Sequence, residues 1–135
     1  MCDETRTDDD LLSAADPPAF TIINENAAGP VVLACDHAST AVPAALDGLG
    51  LLATDLDRHI AWDAGAAEVA RLLAARLDAR CVLAGYSRLV IDCNRAPDHE
   101  TSIPMGSDGV AVPGNVGLNA KDRVWRQAAV FDPYH

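Results

Sequence analysis

Apolar residues come in short runs along this chain, and each run closes on polar residues. Phe20-Thr-Ile-Ile-Asn24 is a brief β-like run, set off from what precedes it by the stiff break Asp16-Pro-Pro18. After Gly29-Pro30 comes Val31-Val-Leu-Ala-Cys35, a continuous apolar run ending at Asp36-His37. That is the pattern of a fully buried strand whose carboxyl end opens onto a loop, and ligands gather at such ends in open α/β sheets. Between Thr54 and Asp78, Trp62, Ala66, Val69, Leu73 and Leu77 keep the three-to-four spacing of one buried helical face. Thr54-x-x-Asp57 has the form of a capping box, and the pattern suits one helix or two.

Arg80-Cys-Val-Leu-Ala84 and Arg88-Leu-Val-Ile-Asp92 read as two more strands. Only Gly85-Tyr-Ser87 separates them, too few residues for a parallel crossover. They are expected to pair antiparallel, which makes the sheet mixed. From Ala96 to Gly117 the chain is rich in Pro, Gly, Ser and Asp, and a loop of that length in a compact domain is usually functional or disordered. Asn119 is a candidate cap for a last helix that buries Val124, Ala128 and Phe131. Asp132-Pro133 has the form of an N-cap and N1 pair for one more helix, and this start signal with so little chain behind it leads to the expectation of a truncated architecture.

Composition narrows the class. A chain of 135 residues, half of them hydrophobic and only 4% aromatic, suits one domain with helices packed on a sheet, an α/β or α+β fold. Much of the net charge of −10 is N-terminal, where Asp3, Glu4, Asp8, Asp9 and Asp10 cluster. Residues 1–19 are therefore expected as a disordered acidic arm and residues 20–135 as the domain. The acidic balance argues against nucleic-acid partners. No apolar run nears the roughly 20 residues that span a bilayer, and the N-terminus has no signal-peptide pattern. Cysteines at 2, 35, 81 and 93 show no CxxC spacing and are expected to be reduced, in the cytoplasm.

The candidate chemistry sits where the apolar runs end. Asp36-His37 offers a metal ligand, a general base or a loop-anchoring pair. His59 and Asp63, four apart on a helical pattern, allow a metal pair or an exposed polar face. In Arg88-Leu-Val-Ile-Asp-Cys-Asn-Arg95 an apolar run delivers Asp, Asn and Arg together. Arginine's planar fork matches a carboxylate, so the segment reads as a carboxylate clamp or as a strand end with an ion pair. His99 and His135 are expected to be solvated. No nucleophile elbow, P-loop or dinucleotide fingerprint occurs.

Taken together, Cys35-Asp-His-Ala-Ser-Thr-Ala-Val-Pro43, His59-Ile-Ala-Trp-Asp63, Tyr86-Ser-Arg-Leu-Val-Ile-Asp-Cys-Asn-Arg95 and Ser107-Asp-Gly…Pro113-Gly-Asn115 closely resemble the N-formylglutamate amidohydrolase family, in order and spacing, over roughly residues 22–135. The resemblance implies a mixed sheet flanked by helices, like that of zinc-dependent exopeptidases. It also implies a zinc site at strand ends and hydrolysis of the formyl amide of N-formyl-L-glutamate or a related N-acyl amino acid. On this view His37 is the first metal ligand, Asp63 the second, and Arg88, Asn94 and Arg95 hold the carboxylate of a small acidic substrate, with Asp92 supporting them. Exopeptidase relatives carry a Glu three residues after the first His, where this chain has Thr40, and no residue of this chain is assigned as the general base. Members of the family run about twice as long, so the resemblance implies a missing half with a further ligand. The alternatives are a catalytically incompetent fragment, self-associating through an exposed sheet edge, and a non-catalytic carboxylate-binding module.

Overall fold

The computed structural model describes residues 10–135. Cys2, Asp3, Glu4, Asp8 and Asp9 of the expected arm lie outside the described residues. Residues 10–19, assigned to the same arm, are packed: Leu11 is buried in the main core and Asp16 accepts from the Ala44 N–H at 2.9 Å. The Tyr86 hydroxyl donates to the Pro17 carbonyl, and burial pushes that phenol up to about 12. These ties to residues far along the chain correct the boundary at 19.

Three strands form the principal sheet: β1 (Phe20–Ile23), β2 (Val32–Cys35) and β3 (Arg80–Ala84). Their order is β1-β3-β2. β1 pairs antiparallel with β3, Phe20 opposite Ala84 and Ile23 opposite Cys81. β2 pairs parallel with β3, Val32 opposite Arg80 and Cys35 opposite Leu83. The sheet is mixed as expected, but its antiparallel pair is β1 with β3. β2 is an edge strand rather than a fully buried one, with Val32 68% exposed.

Parallel pairing requires a long crossover, and residues 36–79 supply it. The expected helix over 54–78 is two helices, α1 (Ala53–Leu56) and α2 (Ala66–Leu77), with turns between them. Gly65 at φ +82° enters α2, a conformation that glycine adopts without steric cost. Thr54 and Asp57 make no capping box, because α1 begins after Leu52 with no side-chain cap. Asp78, at φ +48°, closes α2 in the left-handed region. The α2 face expected to be buried is also displaced: Ala67 and Ala74 are buried, while Val69, Leu73 and Leu77 are exposed.

The run Arg88–Asp92 is not a strand. Leu89, Val90 and Ile91 are fully buried, each contributing about 1.5–3 kcal/mol by removal from water, yet they pair with no strand. Side chains and loop backbone take the place of a ladder. Asn115 Nδ2 donates to the Leu89 carbonyl at 2.8 Å and Arg126 Nη1 to the Val90 carbonyl at 3.0 Å. Ser87 Oγ accepts from the Leu89 N–H at 3.1 Å, and the Asp92 N–H donates to the Ser102 carbonyl at 2.8 Å. A buried backbone needs partners, and this segment has them without joining a sheet.

The loop from Ala96 to Gly117 contains a small hairpin of β4 (Gly106–Ser107) and β5 (Val110–Ala111). Asp108 and Gly109, both at positive φ, form its two-residue turn, as an Asp-Gly pair does. α3 (Ala120–Arg126) starts on the Asn119 cap in a reciprocal capping box with Asp122. The helical run continues through a wider π turn (Gln127–Phe131) into α4 (Asp132–Tyr134). Asp132 is therefore inside a continuous helix and caps nothing new. The widened turn precedes Pro133, which has no N–H for an ordinary i→i−4 bond. Along this run Arg126 and Val130 are buried, whereas Val124 and Ala128 of the face expected to be buried are exposed and Phe131 is half-buried.

Candidate functional site

His37 stands two residues beyond β2, and three loops are stitched around it. The His37 carbonyl accepts from the Asp63 N–H at 3.0 Å, the Ala61 carbonyl from the Arg88 N–H at 3.1 Å, and the Ala41 carbonyl from the Ser87 N–H at 2.8 Å. Ser87 Oγ adds a bond to the Ala61 carbonyl at 2.8 Å. These contacts hold residues 37–41, 61–63 and 87–95 side by side. Residues 26 and 55 positions apart in sequence thereby meet.

Both ring nitrogens of His37 face carboxylates: Nε2 lies 2.7 Å from Asp92 Oδ1 and Nδ1 3.2 Å from Asp63 Oδ2. His37 and Asp92 are buried, whereas the Asp63 side chain is 53% exposed. Asp92 is the hub. It also accepts from the Asn94 N–H at 2.9 Å, Arg88 Nη2 at 3.2 Å and Arg95 Nε at 3.2 Å. Burial by itself would raise the Asp92 carboxyl, but the His37 and Asn94 hydrogen bonds, with the charges of His37 and Arg88, outweigh it and hold the group at about 2. The hydrogen bond from Asp92 likewise raises His37 above its ordinary value, against the opposing effect of burial.

Arg88 reaches both acids, with Nη1 3.4 Å from Asp63 Oδ1. Arg88 and Arg95 also line a cleft of about 450 Å³ with His59, His99, Asp92 and Thr101. Arg95 touches Asp92 through Nε alone, which leaves its terminal fork available.

The sequence-derived candidates divide accordingly. His37, Asp63, Arg88 and Arg95 are brought together. Asn94 adjoins them through its backbone, but its side chain is exposed and lies outside the cleft lining. His59 and Asp63 are not a helical pair, because residues 57–65 are turns; His59 faces Asp108 at 3.4 Å instead. Asp36 does not serve its neighbour His37 and accepts from the Tyr134 hydroxyl at 2.5 Å. His99 Nδ1 lies 3.0 Å from Thr101 Oγ1 and forms part of the cleft wall.

Two features went unrecognised in the sequence. Asp92 is the centre of the network rather than an accessory to Asn94 and Arg95. Arg126, 2% exposed, binds Asn115 Oδ1 at 2.6 Å and the Val90 and Gly114 carbonyls at 3.0 Å each, and so braces the segment that carries Arg88 and Asp92. Burial lowers its guanidinium to about 10. The pairing of Asn115 with a buried Arg on the following helix leaves no spacing signal.

Cys35, Cys81 and Cys93 are buried and free. Burial raises all three thiols, Cys93 to about 12, so none is a poised thiolate. No described helix is long and apolar enough to cross a membrane.

A strand-end histidine between two carboxylates, flanked by guanidiniums in a cleft, forms a polar, charged site at the carboxyl end of β2. The fold matches the crystal structure of gene product Atu2144 from Agrobacterium tumefaciens, with a TM-score of 0.90 and 40% sequence identity over 93% of this chain and 50% of that one. The chain thus spans half the length of that relative. No curated protein matches. The profile of the N-formylglutamate amidohydrolase family matches residues 29–135, and the chain belongs to that family.

Proposed function

We propose that this chain carries the substrate-binding and part of the metal-binding apparatus of a zinc-dependent amidohydrolase acting on N-formyl-L-glutamate or a related N-acyl acidic amino acid. The observation that carries the reading is His37, whose Nε2 is held by Asp92 while Nδ1 faces Asp63 at 3.2 Å. Two ligands on a tetrahedral zinc, each about 2.0–2.1 Å from the ion, stand about 3.3 Å apart. The Nδ1–Oδ2 edge fits that separation. A carboxylate on the remote ring nitrogen is the usual way a ligating histidine is oriented and made more basic. Among the described residues no third His, Cys, Asp or Glu joins the pair, and a catalytic zinc usually takes three protein ligands plus water.

When bound, zinc supplies a water of lowered pKa and polarises the amide carbonyl. The chain's own residues do the rest. Asp92 keeps the Nε2 proton on His37, so that Nδ1, beside Asp63, is the ring nitrogen that would give up its proton to a metal. Arg88 and Arg95 offer guanidinium donors to a substrate carboxylate, while Asn94 supports the clamp through its backbone N–H to Asp92. Asp92 pins both arginines and shortens the search for a productive geometry. A relation of the mixed sheet to zinc-dependent exopeptidases belongs to the same proposal and is supported by the strand-end position of His37. The buried free thiols support the cytoplasm as its compartment.

The test is formate release from N-formylglutamate with zinc added, against a chelated control. Turnover above the blank that chelation abolishes is the expected result, and turnover equal to the blank contradicts catalysis by this chain. A second reading, carboxylate binding without catalysis, is favoured by the two-membered ligand set. Calorimetric titration with glutamate in the presence of chelator separates the two.

A further inference from the structure

We propose that His99 is a specificity-determining residue of the cleft, whose Nε2–H holds the second carboxylate of a short dicarboxylic ligand while Arg95 holds the first. The inference rests on the carboxylate-binding part of the reading above and not on its metal.

A ligand with two carboxylates needs two sets of donors, and the cleft wall supplies them unequally. Arg88 gives one nitrogen to Asp63 and another to Asp92, so two acids already share its charge. Arg95 gives Asp92 only Nε and keeps both terminal nitrogens, a pair that fits one carboxylate side by side. The wall also holds two imidazoles. His59 turns Nε2 toward Asp108 at 3.4 Å, an acid that Arg58 holds at 2.9 Å. His99 meets no carboxylate among the described residues, and its ring bonds are to Thr101.

Those bonds fix the tautomer. The Thr101 backbone N–H can only donate, and it meets His99 Nδ1 at 3.2 Å; the Thr101 hydroxyl meets the same nitrogen at 3.0 Å. Nδ1 is therefore the acceptor, and the ring proton sits on Nε2. With Nδ1 turned back onto its own chain, the Nε2–H edge is the one the imidazole has left for the cleft that it lines. An ionised carboxylate accepts hydrogen bonds and donates none, so this edge is matched to it.

The loop that carries both donors is bonded to itself. The Asp92 N–H closes its ends on the Ser102 carbonyl at 2.8 Å, the His99 N–H reaches the Ala96 carbonyl at 2.9 Å, and the Ser102 N–H reaches the His99 carbonyl at 3.0 Å. Ser102 is fully buried, and its Oγ donates to the Pro97 carbonyl at 2.9 Å. Arg95 and His99 thus share one ordered segment, and little ordering remains for a ligand to impose. A monocarboxylate engages Arg95 alone, whereas a dicarboxylic acid, free or as part of an N-acyl amino acid, engages both.

The experiment is NMR titration of the whole chain, with chelator present, by glutarate and by pentanoate, which has a methyl where glutarate has its second carboxylate. The parent should bind glutarate about tenfold more tightly, the worth of one hydrogen bond to a charged group. H99A should abolish that preference and leave pentanoate binding within about twofold, with an unchanged circular dichroism spectrum because His99 is exposed. H99Q, which returns an N–H donor, should bring glutarate binding back to within about threefold of the parent. R95M should weaken both ligands. Long-range nitrogen–proton spectra at pH 8, above the ordinary imidazole value, should place the His99 proton on Nε2. The proposal is overturned if H99A keeps the preference or if the His99 proton sits on Nδ1. Binding of both ligands without preference, weakened alike by R95M, overturns the role of His99 alone. A parent that binds neither ligand overturns it together with the carboxylate-binding reading.

Discussion

Replacing Asp92 by Asn removes one charge from a nearly isosteric side chain, and the structure gives the size of the loss. Asp92 accepts from His37, Arg88, Arg95 and the Asn94 N–H, and it is 3% exposed. A fall from the ordinary 3.8 to about 2 corresponds to on the order of 2 kcal/mol at ~1.4 kcal/mol per unit. The amide also turns an NH2 toward groups that are themselves donors, and a lost bond to a charged partner is worth about 1.5–3 kcal/mol. Because Arg88 and Arg95 are partly solvated, their share is discounted, and D92N is expected to cost about 2–4 kcal/mol at pH 7.

The sign with pH is definite. A depressed carboxyl contributes its stability in full above its unfolded value of 3.8 and loses it as pH falls through about 2. Urea unfolding of parent and variant at pH 7 and pH 3 should therefore show the difference shrink to about half at the lower pH. A difference below about 0.5 kcal/mol at pH 7, the size expected of an ordinary surface substitution, would remove Asp92 from the centre of the site. A difference that does not shrink toward pH 3 would show that its charge is not the cause.

Other consequences follow from single contacts. A Cβ at Gly85 would lie 2.0 Å from the Pro18 carbonyl oxygen, in a segment tied by the Gly85 N–H to the Ala19 carbonyl, so G85A should cost about 2–4 kcal/mol in denaturant titration. R126M strips two buried acceptors and one half-buried acceptor of their donor and is expected to cost about 2–4 kcal/mol, with faster amide exchange over residues 88–92. R95M should leave stability within about 0.5 kcal/mol, because the side chain is 40% exposed, while weakening calorimetric binding of glutarate about tenfold. The His37 imidazole is raised chiefly by its bond to Asp92, so its contribution is complete below 6.5 and lost as pH rises through the folded value. D92N should lower that value in an NMR titration.

What could be read from the sequence was what depends on neighbours in the chain. The Asn119 cap answers to Asp122 three residues on, and the Asp108-Gly109 turn to its own backbone preference. The runs that became β1, β2 and β3 were recognised because sheet strands need continuous apolar or alternating residues. Leu89-Val-Ile91 was misread because an apolar run reports burial and says nothing of what bonds its backbone; Asn115 and Arg126, 26 and 36 residues downstream of the carbonyls they bind, do that. The α2 face was misread because periodicity finds an apolar stripe without telling which partner it packs on. In the site, His37, Arg88 and Arg95 were legible as strong side chains placed where apolar runs end. The convergence of Asp63 and Asp92 on one imidazole was not, because it depends on how loops 26 and 55 residues apart are stitched.

In the proposed site His37 presents Nδ1 to a metal beside Asp63 while Asp92 holds the Nε2 proton. Zinc titration followed by long-range nitrogen–proton NMR of the His37 ring tests it most directly. Stoichiometric zinc is expected to change Nδ1 from a protonated to a metal-bound nitrogen while Nε2 stays protonated throughout, and D63A is expected to abolish the change. A His37 ring unaltered by zinc, or metal on Nε2, would contradict it.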